Sequence, residues 1–218
     1  RALASVRGIA DEVVVVDTGS TDGTVAIAKN SGAVVCHFPW CDDFSAARNC
    51  ALDQARGDWI FWLDADEELL PESFDELRSC LARPEALAFL VRRQDLKQAD
   101  RLDFFTVMWQ LRLFRRRDDL RFLGRCHPDF RNLAEVETKT GQQLQHSAVA
   151  IRHYGYIGEL VPAKLRRGAR LMELVDSLGV RVITGDGIDT DGEGWRVMWI
   201  IKLMSAAQEG ENTSSRTS

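Results

Sequence analysis

Four consecutive valines, 13–16, lie between Glu12 and Asp17, and residues 18–24 are all Thr, Gly, Ser or Asp. A β-branched run followed by turn and cap residues predicts strand, loop, helix. Thr21 or Asp22 can cap a helix that runs through Lys29, and Gly32 suits a left-handed terminator. Residues 33–38 predict the next strand. Residues 44–55 carry apolar side chains at helical spacing and stop before Gly57, after which 59–63 is apolar on both faces, the pattern of a central strand. Pro71 opens a helix over 71–81, with Glu72, Asp75 and Glu76 favouring its positive end. Beyond it, 86–92, 104–114 and 148–152 read as strands, 160–178 as an amphipathic basic helix and 195–207 as a second amphipathic helix. Residues 181–194 are rich in Gly and Asp, and the polar stretch 210–218 is expected to be disordered.

Apolar strands alternating with helices predict an α/β fold with a parallel sheet covered on both faces, and ligands gathering beyond the carboxyl ends of the strands. Asp17 and Asp64 both fall at such ends. A chain of 218 residues, 45% hydrophobic and 28% charged, can build a core and is neither disordered nor collagen-like. With 28 Lys and Arg against 33 Asp and Glu, the net charge of −5 gives no global field for nucleic acid or anionic lipid, so any phosphate must be held locally. No apolar run has the length of a membrane span. Five cysteines, odd in number and without a CxxC pair, read as reduced thiols. The chain opens on Arg1 with no signal-peptide pattern, and a fragment of a longer protein is expected.

Three constellations carry chemistry. Asp64-Ala65-Asp66, followed by Glu67 and Glu68, comes directly after the central strand. In extended backbone the two aspartates point to one side, so both can face one divalent ion, or one can take the ion and the other a ribose. A bound Mg²⁺ or Mn²⁺ supplies the charge that two neighbouring carboxylates need, and such an ion also grips a diphosphate. The plain alternative is an acidic strand end capping the next helix. Asp17, followed by small hydroxyl and glycine residues, can accept from a nucleobase or ribose, or simply cap a turn. The segment has neither GxGxxG nor GxxxxGKS/T spacing. Arg48, within Asp43-Phe44-Ser45-Ala46-Ala47-Arg48-Asn49, can hold a phosphate or base edge by paired hydrogen bonds, or lie solvated on the surface.

Together these motifs resemble the family 2 glycosyltransferases of GT-A fold, in particular a bacterial branch carrying EVVVVDTGSTDGT, FSxARN and GDWIxxLDADE. The resemblance covers residues 2–70 almost without interruption and continues more loosely to about residue 178. It implies a Rossmann-like three-layer α/β/α domain over 1–179 with a mostly parallel central sheet, and a C-terminal extension over 180–218. It implies that Asp17, Asp22 and Arg48 contact the nucleotide, and that Asp64 and Asp66 bind ribose and the metal-bound diphosphate. Arg112-Leu113-Phe114-Arg115 resembles the branch's RLFR strand, and His153-Tyr154-Gly155-Tyr156 its HYGY signature. A late histidine in related enzymes helps hold the metal, which makes His153 the candidate third ligand beside Asp64 and Asp66. The implied donor is a nucleotide-diphosphate sugar, with a UDP-sugar expected. The implied setting is cell-envelope biosynthesis, in the cytoplasm or peripheral at the inner face of the membrane. The acceptor, whether glycan, lipid-linked sugar or protein, is not legible.

The sequence departs from the family twice. The family's opening strand is missing, which predicts that neighbouring strands lose a pairing partner and expose an apolar edge. The segment that usually reads His-Glu is His127-Pro128, with Asp129 one place further on. An inverting sugar transfer needs a base at the acceptor hydroxyl, and His127 or Asp129 can supply it. Arginines 112, 115, 116, 117, 121 and 125 form either a phosphate-binding rim or a solvated strand face. Two rival readings stand beside the enzyme: a truncated relative that binds a nucleotide sugar without turning it over, and a nucleotidyltransferase, whose usual glycine-rich basic loop is absent.

Overall fold

The computed structural model describes residues 1–125, 128–157 and 197–203. Helix α1 (Ala2–Ser5) leads into strand β1 (Glu12–Asp17), helix α2 (Thr24–Asn30), β2 (Val34–His37), α3 (Phe44–Gln54) and β3 (Trp59–Asp64). There follow β4 (Glu67–Leu69), a 3₁₀ turn (Pro71–Ser73), α4 (Phe74–Leu81), β5 (Ala86–Leu96), β6 (Phe105–Arg115), α5 (Leu133–Thr140), β7 (Gln143–His153) and β8 (Val197–Leu203). The expected basic helix 160–178, the Gly/Asp-rich stretch, the polar tail and the boundary at 179/180 lie outside the described residues.

One eight-stranded sheet runs β2-β1-β8-β3-β6-β5-β7-β4. It is mixed: β1 pairs β2 and β5 pairs β7 in parallel, and the other neighbours are antiparallel. Antiparallel pairing enters through β8, which runs against both β1 and β3, through β3–β6 and β4–β7, and through the long β5–β6 hairpin, whose strands pair from Ala88↔Phe114 to Leu96↔Phe105. Strand alternation sorts the core onto two faces. Val15, Trp59, Phe61 and Leu63 meet Ala2 and Val6 near the N-terminus, Ala28 of α2 and Leu77, Cys80 and Leu81 of α4. Val14, Val16, Ile60 and Trp62 face Ala47, Ala51 and Leu52 of α3, Val136 of α5, and Phe122 and Phe130. Helices thus cover both faces, and each large side chain so buried contributes about 1.5–3 kcal/mol.

Local chemistry sets the helix limits. Asp43 caps α3 by accepting from the Ala46 amide at 3.0 Å, and Gly32 takes φ +84° just beyond α2, a conformation that favours glycine. The expected helix over 195–207 is corrected: Val197–Leu203 is a strand, antiparallel to β1 on one side and to β3 on the other. Its run of apolar residues cannot be assigned to helix or strand by periodicity alone, and pairing on both sides decides for strand. β8 thus lies between β1 and β3 and pairs with both, so the apolar edge expected between neighbouring strands is not seen there.

The four described cysteines, Cys36, Cys41, Cys50 and Cys80, are free thiols. Burial, with Glu76 beside it, pushes the Cys80 thiol up to about 12. In native protein at pH 8, a thiol-specific reagent should label exposed Cys41 and leave Cys80 untouched until denaturant is added; early labelling of Cys80 would contradict its place in the core. Amide hydrogens over 198–202 should exchange as slowly as those of Val14–Val16, because both segments are paired within one ladder.

Candidate functional site

Strands β1 and β3 end side by side, separated only by β8: Asp17 registers with Val197 and Asp64 with Met198. The two aspartates are thus two inter-strand spacings apart, about 10 Å. The buried Asp17 accepts from the Ser20 amide at 3.0 Å through Oδ1 and pairs with His37 Nδ1 at 3.3 Å through Oδ2. Burial would raise its carboxyl, but these hydrogen bonds hold it below the usual range. Exposed Asp22 accepts from the Thr24 amide at 3.0 Å, while the N-cap position of α2 is Gly23, without a side-chain cap, and not Thr21 or Asp22 as expected.

Asp64 lies between two arginines. Arg48 Nη2 from α3 is 3.7 Å from Oδ1, and Arg112 Nη1 from β6 is 3.4 Å from Oδ2. Burial would raise the Asp64 carboxyl, but Arg112 and Arg48 keep it low. Arg112, fully buried, also donates to Glu67 Oε1 at 2.7 Å and to Gln110 Oε1 at 2.7 Å. Glu67 Oε2 accepts from the Asp64 amide at 2.8 Å, which ties the strand end to β4. Burial pushes the Glu67 carboxyl up, against the pull of Arg112. It also pushes Arg48 down to about 10. Both guanidinium groups pack on Trp62, with Cζ 3.8 Å (Arg48) and 3.5 Å (Arg112) from the ring centroid.

The chain turns at Ala65 and Asp66 into β4, whose Glu67 registers with His153 at the end of β7. That turn carries Asp66 to the imidazole. Asp66 Oδ2 is 3.1 Å from His153 Nε2, and Asp95 Oδ1 of β5 is 2.7 Å from His153 Nδ1. Asp95 is in turn held by Arg93, 2.8 Å away. Burial would lower the imidazole, but the hydrogen bonds to Asp66 and Asp95 push it up to about 9. The backbone thus gathers three arginines, Arg48, Arg93 and Arg112, and the imidazole of His153 around four carboxylates, Asp64, Asp66, Glu67 and Asp95.

The donor set of Asp66 and His153 fits a divalent cation in its chemistry. One carboxylate and one imidazole converge, and the far imidazole nitrogen is fixed by a carboxylate, the arrangement that orients a histidine ligand. Among the described residues no three His, Cys, Asp or Glu side chains converge into a cage. Two protein ligands suit Mg²⁺ or Mn²⁺, which keep water and phosphate oxygens in the remaining positions. Both oxygens of Asp64 face guanidinium groups.

Asp129 is exposed on the loop that follows β6. Its Oδ1 accepts from the Phe130 amide at 2.6 Å, and its backbone bridges to Leu123. The loop is fastened to the start of α3: Ser45 Oγ donates to the Gly124 carbonyl at 2.7 Å, and Asn49 pairs with both backbone groups of Phe122. His127 and Cys126 lie outside the described residues.

The arginine rim divides. Arg112 is interior; Arg115 and Arg116 donate to backbone carbonyls of Ala86 and Gly57; Arg117 pairs with Asp119 and Arg121 with Asp53. Sequence reasoning missed Glu67, Asp95, Arg93 and Trp62 as members of the site. The one signal for them was polar residues inside otherwise buried strands, such as Arg93 and Asp95 within β5.

Residues 1–131 match the family model for glycosyl transferase family 2. A TPR repeat-containing protein of Synechococcus elongatus is 48% identical over 159 residues, covering 72% of this chain and 38% of that protein. An uncharacterized glycosyltransferase of Rickettsia bellii is 46% identical over 82 residues, 38% of this chain and 28% of the relative. The SPbeta prophage-derived glycosyltransferase SunS of Bacillus subtilis is 39% identical over 74 residues, 30% and 16% of the two chains. The matched stretches thus span less than half of these relatives.

The buried charge cluster makes a stability prediction. Arg112→Met leaves Glu67 without its cation and should cost about 3–5 kcal/mol in urea unfolding. Glu67 has a raised folded pKa, so the stability attached to its protonated form is present at low pH and lost as pH rises. The penalty should accordingly be larger at pH 8 than at pH 5.

Proposed function

Because this chain belongs to glycosyl transferase family 2, we propose that it moves a sugar from a nucleotide-diphosphate donor, such as a UDP-sugar, to an acceptor hydroxyl with inversion at the anomeric carbon. The observation that carries this reading is Arg48. Its side chain is only 10% exposed, yet its Nε–H has no hydrogen-bond partner among the described residues. A buried guanidinium N–H costs about 1–3 kcal/mol when unsatisfied, and a ligand oxygen at the carboxyl edge of the sheet relieves that cost. The family's GT-A, Rossmann-like α/β fold, in which ligands gather beyond the carboxyl ends of the strands, supports a donor at this edge.

In this reading Asp17 and Asp64, both held as carboxylates, accept hydrogen bonds from the nucleoside, and Arg48 donates to it. Asp66 and His153 would hold Mg²⁺ or Mn²⁺, and a bound cation supplies positive charge to the leaving diphosphate. Asp95 keeps the imidazole oriented. The acceptor oxygen bonds to the anomeric carbon on the face opposite the breaking bond to the diphosphate, and its proton passes to a base. Asp129 is that base in the proposal, carried by the loop that Ser45 and Asn49 anchor one turn from Arg48. His127 is the alternative. Asp22 serves the donor indirectly by capping the loop after β1.

The acceptor is a glycan, a lipid-linked sugar or a protein side chain, and the place of action is the cytoplasm or the inner face of the membrane, in envelope biosynthesis. No helix among the described residues is long and apolar enough to cross a membrane. Binding of a donor without release of free nucleotide, measured on the full-length protein, would favour a non-catalytic relative.

Asp66→Ala should abolish Mn²⁺-dependent binding of UDP in calorimetry while circular dichroism stays unchanged, because Asp66 sits in a turn with its side chain 24% exposed. Affinity equal to that of the unsubstituted protein would refute the role given to Asp66.

A further inference from the structure

The Trp62 indole touches two guanidinium groups at once. Arg48 and Arg112 place Cζ 3.8 Å and 3.5 Å from its ring centroid. They reach it from opposite sides of β3: α3, which carries Arg48, packs over β1 and β8, and β6, which carries Arg112, is the neighbour on the other side. Two carbons so near one centroid on a single face would stand inside the contact distance of about 3.5–4 Å, so the ring lies between them. Its Nε1–H donates to the Leu111 carbonyl at 2.9 Å, which fixes the plane of the ring.

Both guanidinium groups also face Asp64, one at each oxygen. Two cations sharing one carboxylate repel each other. The electron-rich faces of the indole hold them at a set separation in a water-poor layer, where cation–π contacts are at their strongest. We propose that Trp62 is a positioning residue for the nucleotide: clamped between Arg48 and Arg112, it fixes the direction in which Arg48 presents its unpartnered Nε–H. The inference rests on the reading of Arg48 as a donor-binding residue. The simpler account, Trp62 as apolar filler against Phe122, gives the ring a share in stability and none in affinity.

The test compares Trp62→Leu, Trp62→Phe and, as a control, Trp59→Leu, which removes an equally large ring at the far end of β3. In the ligand-free full chain, the Nε–H signals of Arg48 and Arg112 should be shifted upfield by the ring, lose that shift in Trp62→Leu and keep part of it in Trp62→Phe. Titration with UDP and Mn²⁺ should weaken more than about tenfold in Trp62→Leu and about threefold in Trp62→Phe. Trp59→Leu should lower Tm and leave affinity unchanged. Should Trp62→Leu fail to fold, the Phe variant decides. Unchanged UDP affinity in the Trp62 variants, an equal loss in Trp59→Leu, or arginine signals without a ring shift would each overturn the inference. Absence of UDP binding by the unsubstituted protein, with the ring shifts present, would instead bring down the donor-binding reading and the positioning role with it.

Discussion

Carboxylates buried at the end of a central strand are tolerable only when cations are buried with them. A single uncompensated charge in such a place costs several kcal/mol. Here the compensation is distributed: Asp64 has Arg48 and Arg112, Glu67 has Arg112, Asp66 has His153, and Asp95 has Arg93 and His153. Arg93 and Asp95 share β5, but Arg48, Arg112 and His153 come from other elements than the carboxylates they meet, so the site exists only when the sheet is assembled. The order β3-β6-β5-β7-β4 brings these groups to one edge from sequence positions as far apart as Asp64 on β3 and His153 on β7.

That dependence explains what was legible beforehand. The strands β1, β2 and β3 and the helices between them follow from local signals, since valine runs, caps and Gly32 act within a few residues. Asp17 and Asp64 could be placed at strand ends for the same reason. The partners Glu67, Arg93, Asp95 and Arg112 could not, because nothing local distinguishes a buried arginine on β6 from the exposed Arg116 four residues on. The helix expected over 195–207 failed for a related cause: its hydrophobic run gains two pairing partners as β8, and tertiary pairing overrides a weak local preference.

The Asp64-Ala65-Asp66 spacing illustrates the limit of a local rule. In extended backbone the two carboxylates would share one side, but β3 stops at Asp64, and residues 65 and 66 form a turn. The carboxylates are thereby separated. Asp64 stays in the ladder with both oxygens toward arginines, and Asp66 swings to the imidazole of His153. Of the two arrangements the motif allows, a shared ion or a division between nucleoside and ion, the turn favours the division.

The same geometry gives β8 a role beyond closing the sheet. Asp17 and Asp64 are the acceptors proposed for the nucleoside, and the strand between them sets their separation at two spacings, about 10 Å. Direct pairing of β1 with β3 would halve that span and bring two carboxylates with depressed pKa values close enough to repel. Interposing one strand keeps them apart, so that a ligand with two separate hydrogen-bonding ends, as a base and its ribose have, can reach both. A lone phosphate cannot bridge that gap. In the proposed reading, the span between the two carboxylates is therefore itself a selectivity element, set by backbone spacing before any side chain contributes.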